Sequence, residues 1–185
     1  MRTYEELYEI VKQKLSEKRF RHCTGVVKRA IEYAKIYNVD IEMVQKVAII
    51  HDIAKEFTDE ENKVYIEKYN IELDHIEKLN KNLLHAKIGA NICKNEYGFT
   101  DDMVNAVRFH TTGREDMSIL EKIIYLADAT EENKIYIPNH FIDIIKRDIN
   151  KGMVEVTRFV LENLLSDNKY IHENTFKCYN YYMNK

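Results

Sequence analysis

The sequence predicts an all-α fold, and three observations carry that prediction. Helix breakers are scarce, with five glycines and one proline in 185 residues, which argues for long helices joined by short loops. Apolar residues recur at helical spacing behind recognisable start signals. No stretch of useful length shows the apolar–polar alternation of a half-buried strand.

The elements follow in order. Thr3 and Glu6 form a capping box ahead of "YEELYEIVKQKL". A second helix covers "FRHCTGVVKRAIEYAKIYN" and ends near Asn38. Asp40 caps a third, whose apolar stripe is Met43, Val44, Val47, Ile50 and Ala54. Thr58 and Glu61 make a capping box for "EENKVYIEKYN", and "NLLHAKIGANICKNE" is helical with Leu84, Ile88 and Ile92 on one side. Thr100 or Asp101 caps "DMVNAVRFH", and Ser118 with Glu121 opens "ILEKIIYLADA". A long helical pattern runs from Asn139 to Leu165, with a candidate break near Gly152. The tyrosine-rich C-terminus is also helical. Core packing is the default for Tyr179, Tyr181 and Tyr182, with a homodimer face as the alternative. There is no repeat, low-complexity linker or composition break, so one domain over residues 1–185 is expected.

Composition narrows the function classes. With 28 basic and 31 acidic residues the net charge is -3, which gives no bulk electrostatic reason to expect a nucleic acid polymer or an anionic membrane as partner. A local basic pocket stays compatible with that balance. Cys23, Cys93 and Cys178 are odd in number and far apart, with no CxxC pair. That excludes a disulfide framework or a cysteine zinc site and fits a reducing, cytoplasmic setting. "MRTYEELYEI" lacks the apolar core of a signal peptide, and no uninterrupted apolar run approaches the length of a membrane span.

Chemistry is concentrated in a few intrusive residues. "AIIHDIAKEF" puts His51 and Asp52 inside what reads as a buried helix. A buried carboxylate costs several kcal/mol unless it is paired, hydrogen-bonded or bound to a metal. Asp128, directly after "IIYLA", is the same oddity. His85 and His110 also sit within or at the end of apolar helical patterns, and His22 lies near the start of a helix after Arg19 and Arg21. On a helix, neighbouring side chains diverge by about 100°, yet both can reach one ion lying over the edge between their faces. His51 and Asp52 would supply a neutral nitrogen and an anionic oxygen, and His22 and Asp128 are candidates to complete the set. Nitrogen and oxygen donors without thiolate suit iron, manganese, cobalt, nickel or zinc. Each residue also has a bland reading: Asp52 pairs with Lys55 at i, i+3, and Asp128 is a helix-end carboxylate bridged to a lysine. For His75, His140 and His172 a hydrogen-bonded core or surface role is favoured. Taken together, four histidines and two aspartates on separate helices favour a metal site.

In this order, "RFRH", "HDIAK", "LLHAKIGA", "FHTTGR" and "YLAD" resemble the HD-domain metal-dependent phosphohydrolases, and within them the HD-type symmetrical diadenosine tetraphosphate hydrolases. The resemblance runs from about Arg19 to Asn180. It implies an all-helical HD fold with its core at roughly 19–135 and a C-terminal helical segment packed on it. It also implies iron held by His22, His51, Asp52 and Asp128, with His85 and His110 facing the phosphates or a second metal. Lys55 and Thr111 match positions near the nucleotide phosphates, and Thr175 and Asn180 match a C-terminal segment of the family. One departure stands out: after the last aspartate the family has an acidic residue, a proline and, two residues on, an arginine. Here Glu131 keeps the acid, Glu132 replaces the proline and Lys134 stands for the arginine, so the bidentate fork is lost while the charge is kept.

The expected activity is hydrolysis of diadenosine tetraphosphate to two ADP by metal-activated water. Asp52, Lys55, His85 and His110 would be catalytic. His22, Asp52, Lys55, His85, His110, Thr111, Asp128, Lys134 and Thr175 would contact substrate. The rivals are another HD-type nucleotidase or phosphodiesterase, a non-catalytic nucleotide-sensing module, and a helical interaction domain.

Overall fold

The structure, a computed structural model, describes residues 1–134 and 137–185. Among them are eleven α-helices and no strand. Helix α1 (Tyr4–Lys14) starts from the Thr3–Glu6 capping box. Helix α2 (Glu17–Tyr37) begins earlier than its apolar pattern suggests, because Ser16 caps it by accepting from the Arg19 amide. It stops at Asn38, whose φ of 54° places it in the left-handed region that ends helices.

Helix α3 (Ile41–Ile50) is shorter than the apolar stripe predicts. The expected run to Ala54 breaks at His51, and residues 51–56 form tight turns closed by Ile53 N to Ile50 O and Lys55 N to Asp52 O. The apolar residues continue because these turns are buried, not because the helix continues: Ile53 is fully buried. Helix α7 (Asp101–Arg108) likewise ends before Phe109 and His110, which lie in turns. Between them come α4 (Asp59–Lys68), the short α5 (His75–Leu79), a single 3-10 turn at Lys81–Leu83 and α6 (Leu84–Glu96).

Helix α2 packs against α3 and α8 (Ile119–Thr130), and α7 packs on α6 and α8. The core is formed by Ala30, Tyr33, Val47, Ile50, Ile88, Val107, Ile123 and Leu126, among others. Each fully buried large aliphatic contributes roughly 1.5–3 kcal/mol. Tyr33 keeps its hydroxyl satisfied by donating to Thr130 Oγ1 at 2.8 Å, and Thr130 donates to Leu126 O at 2.7 Å.

The C-terminal region corrects one expectation. The long pattern after Asn139 is two helices, α9 (His140–Arg147) and α10 (Ile149–Ser166), and the break falls at Asp148 rather than near Gly152. Asp148 is extended and its carboxylate accepts from the amides of Asn150 and Lys151 at 2.9 and 3.1 Å. Gly152 lies inside α10 at the crossing with α9, where a Cβ would come within 2.5 Å of Ile145 Cγ1 and 3.1 Å of its Cα. Helix α11 (Glu173–Met183) closes the chain against α10. Tyr182 is buried there and accepts from the Met117 amide at 2.9 Å.

Removing the Asp148 cap strands two amide donors of α10. Asp148→Ala should cost about 1 kcal/mol, which lowers the melting temperature by about 2–4 °C for a chain of this size. Differential scanning calorimetry reads this directly, and an unchanged melting temperature would contradict the cap.

Candidate metal centre

Five elements converge at one end of the α2–α3–α8 core. His22 projects from the second turn of α2, His51 and Asp52 follow α3, and His85 is in the first turn of α6. His110 follows α7, and Asp128 is in the last turn of α8. Three of these histidines are held by the same local device. The Nδ1 of His51 contacts Ala48 O at 2.7 Å, that of His85 contacts Asn82 O at 2.6 Å, and that of His110 contacts Val107 O at 2.7 Å. Each acceptor is the carbonyl three residues back, near a helix end where backbone groups lack helical partners. His22 is tied differently, its Nδ1 lying 3.2 Å from the buried carboxylate of Glu131. Carbonyl and carboxylate oxygens only accept, so Nδ1 must carry the proton in all four rings. In the neutral imidazole the lone pair then sits on Nε2.

All four Nε2 atoms point into one space. His22 Nε2 lies 3.1 Å from Asp128 Oδ1 and 3.6 Å from Asp52 Oδ2. His51 Nε2 lies 3.6 Å from Asp52 Oδ2 and 3.9 Å from Asp128 Oδ1. His85 and His110 bring their Nε2 atoms within 3.1 Å of each other, and to 3.1 and 3.4 Å from Asp52 Oδ1. The Nε2 atoms of His22 and His51 are buried without a hydrogen-bond partner. Lone pairs aimed at carboxylate oxygens repel one another, and a cation among them removes the conflict. Donor atoms of His22, His51 and Asp128, and of His51, Asp52 and His110, lie close enough together to hold an ion. The residues therefore fit a divalent metal.

Charges around the cluster are arranged to match. Arg19 Nη1 meets Asp52 Oδ2 at 2.8 Å, and Lys134 Nζ meets Asp128 Oδ1 at 2.7 Å. Lys55 does not pair with Asp52 as the i, i+3 reading has it. Its ammonium lies 3.4 Å from His85 Nδ1. Burial pushes the Asp52 carboxyl up, but positive charge held among His51, His110 and His85 outweighs it and sets it well below the usual range. Burial acts the same way on Asp128, where Lys134 and His22 outweigh it. Burial drives His51 down to about 3 and His85 down to about 4, which keeps both rings neutral. Burial also lowers His22, but the Asp128 carboxylate 3.1 Å from its Nε2 prevails and raises it.

Two residues escaped the sequence reading and one gained a role. Arg19 stands 33 positions from Asp52, so no local periodicity signals their contact. Glu131, an acid in the sequence pattern, is the partner of His22. It is fixed by the backbone and side-chain amides of Asn133, both at 2.8 Å. Gly25 makes room for it, since a Cβ there would lie 2.5 Å from Glu131 Oε2. The i, i+3 spacing of His22 and Gly25 was the available signal. Glu132 turns away to pair with Lys28 at 2.8 Å on the surface. Beside His110 and Asp128 opens a cavity of about 580 Å³, walled by Thr111, Tyr125, Ile137, Phe159, Val160, Asn163 and Leu164. Thr175 is buried in the first turn of α11 and does not line it.

Comparison with known proteins gives one answer. Residues 19–133 match the family model described as HD domain. The chain is 35% identical over 185 residues to the symmetrical bis(5'-nucleosyl)-tetraphosphatase of Bacillus subtilis, with 96% of each chain covered. It is 36% identical to the protein of that name from Halalkalibacterium halodurans, covering 93% of this chain and 92% of the relative. A crystal structure from Clostridium acetobutylicum, described as a predicted HD superfamily hydrolase involved in NAD metabolism, superposes with a TM-score of 0.93 at 31% identity. It covers 100% of this chain and 98% of that one.

The site makes two predictions. A ring whose folded pKa lies below its unfolded value of about 6.5 is neutral when folded and charged when unfolded. Its stabilising contribution is therefore complete above pH 6.5 and is lost as pH falls towards the folded value. Between pH 6.5 and 5, His51 and His85 should each cost about 2 kcal/mol, with raised His22 acting in the opposite sense. Metal-free protein should unfold at a lower urea midpoint at pH 5 than at pH 7.5, and an equal midpoint would contradict the buried neutral rings. Glu131→Ala should lower metal affinity by about 10–100-fold, measured by chelator competition at pH 7.5. Unchanged affinity would contradict its hold on His22.

Proposed function

The chain belongs to the HD-domain family, and on that premise we propose that it hydrolyses diadenosine tetraphosphate symmetrically to two molecules of ADP. The observation that carries this reading is the convergence of His22 Nε2 and His51 Nε2, both buried and unpartnered, on Asp52 and Asp128. The relatives named symmetrical bis(5'-nucleosyl)-tetraphosphatases supply the substrate. A dinucleotide of this kind is cut at its middle bridge. A bond forms between a water oxygen and the second phosphorus. The bond from that phosphorus to the oxygen bridging the third breaks, and the water's hydrogens end on the products or in solvent.

His22, His51, Asp52 and Asp128 would hold the divalent ion, which we take to be iron. The nitrogen and oxygen donors also suit manganese, cobalt, nickel and zinc. Such an ion supplies Lewis acidity, lowering the pKa of a coordinated water from 15.7 to about 7 and offsetting phosphoryl charge. The remaining work falls to the chain. Arg19 fixes the orientation of Asp52 through its 2.8 Å contact. Lys55 and Lys134 place ammonium groups beside the cluster, where they offset charge developing on phosphoryl oxygens. His85 and His110 face the same space and orient the phosphates, with the Thr111 hydroxyl position next in the chain. Asp52, Lys55, His85 and His110 form the catalytic set. The 3.1 and 3.4 Å approach of His85 and His110 to Asp52 Oδ1 also favours a second ion there as an alternative role. The large cavity beside His110 is of a size for a nucleoside and has the apolar walls to take one. No helix of the described residues is long and apolar enough to cross a membrane. Three free, buried cysteines fit work in the cytoplasm.

Chromatography of products from the iron-loaded protein tests the reading. ADP should be the sole product from diadenosine tetraphosphate. Asp52→Ala should reduce kcat/KM by more than about a hundredfold while far-UV helicity is retained. ATP with AMP as products, retained activity in the variant, or binding without turnover by the wild type would each overturn it.

A further inference from the structure

A second cavity, of about 330 Å³, lies on the other side of His22. It is lined by Lys18, Arg19 and Arg21 of α2, with His22, Glu131, Asn133 and Lys134. Lys134 lines both this cavity and the larger one. Its ammonium is 2.7 Å from Asp128, which lines the larger cavity, and Asp128 is 3.1 Å from His22, which lines the smaller. The partition between the two spaces is thus built from the residues that would hold the metal.

The two cavities differ in chemistry. The larger has Tyr125, Ile137, Phe159, Val160 and Leu164 in its wall. Among the described residues the smaller has only the His22 ring and no aliphatic, Phe or Tyr side chain in its wall, and it gathers four cationic side chains around one carboxylate. Arg19 and Lys134 are engaged with Asp52 and Asp128. Lys18 is exposed, and among the described residues the Arg21 side chain carries only the exposed i, i+4 pair with Glu17 at 2.9 Å. An exposed pair of that kind is worth little, so Arg21 exchanges it readily for a phosphate.

A substrate cut in the middle has two arms of equal length, one on either side of the bridging oxygen that is cleaved. Only one arm can enter the apolar cavity. We propose that the basic cavity beside His22 is the subsite for the second nucleotide arm, recognised through its phosphates by Lys18 and Arg21 and not through its base. This rests on the tetraphosphate-hydrolase reading and extends it. It follows that one end of the substrate is read closely, while the other tolerates any base. A planar guanidinium such as that of Arg21 stacks on any base without reading its edge.

The test is steady-state kinetics of metal-loaded wild type and the double variant Lys18→Ala/Arg21→Ala on diadenosine tetraphosphate, with ADP as inhibitor. Wild-type turnover must be seen first, and its absence would sink the activity reading, not this subsite. Given turnover, the variant should raise KM by about tenfold with kcat within about twofold. The inhibition constant of ADP, held in the apolar cavity, should move by less than about twofold, which also shows the site intact. An unchanged KM, or an equal loss of ADP affinity, would overturn the proposal.

Discussion

The site depends on a proton held at Nδ1 of four imidazoles. Backbone carbonyls of Ala48, Asn82 and Val107, and the carboxylate of Glu131, each accept from one ring. That hydrogen bond fixes both tautomer and ring direction, and so aims four Nε2 lone pairs at the carboxylates of buried Asp52 and partly exposed Asp128. The requirement explains the local backbone. His51 and His110 must stand just past a helix end to reach a carbonyl three residues back, so α3 and α7 stop where they do. It also explains the small residue at Gly25, because Glu131 needs that space to reach His22.

The surrounding charges form a balanced set. Two carboxylates at the centre are met by Arg19 and Lys134 from the side of α2 and α8, and Lys55 stands behind His85. Burial keeps His51 and His85 neutral, so they act as donors of electron pairs and add no positive charge of their own. A divalent ion then adds to a centre that is otherwise rich in lone pairs, and cationic side chains stand around its rim where phosphates approach. The asymmetry between an apolar cavity and a basic one gives the centre two distinct sides.

Much of the fold was legible in the sequence because its signals are local. The capping boxes at Thr3, Thr58 and Ser118 all form, and Asn38 ends α2 in the left-handed conformation. What was not legible depended on burial without periodicity. Ile53 and Ala54 extend the apolar stripe of α3 but belong to buried turns, so the pattern overran the helix. Gly152 looked like a break, yet its lack of a Cβ serves the α9–α10 crossing, and the break belongs to the cap at Asp148. Five residues of the cluster could be named because each is a polar intrusion in an apolar pattern, and His22, near a helix start, was the candidate that completed the set. The Arg19–Asp52 contact could not, because a surface arginine at a helix start carries no such mark.

The most direct measurement is nitrogen NMR of the imidazole rings in uniformly labelled protein loaded with zinc, a diamagnetic ion that the donor set accommodates. The Nδ1 proton on His22 and His51, with Nε2 shifted as a metal ligand, is the predicted result. A proton on Nε2 of either ring, or an imidazolium at neutral pH in the loaded protein, would contradict the tether on which the site depends.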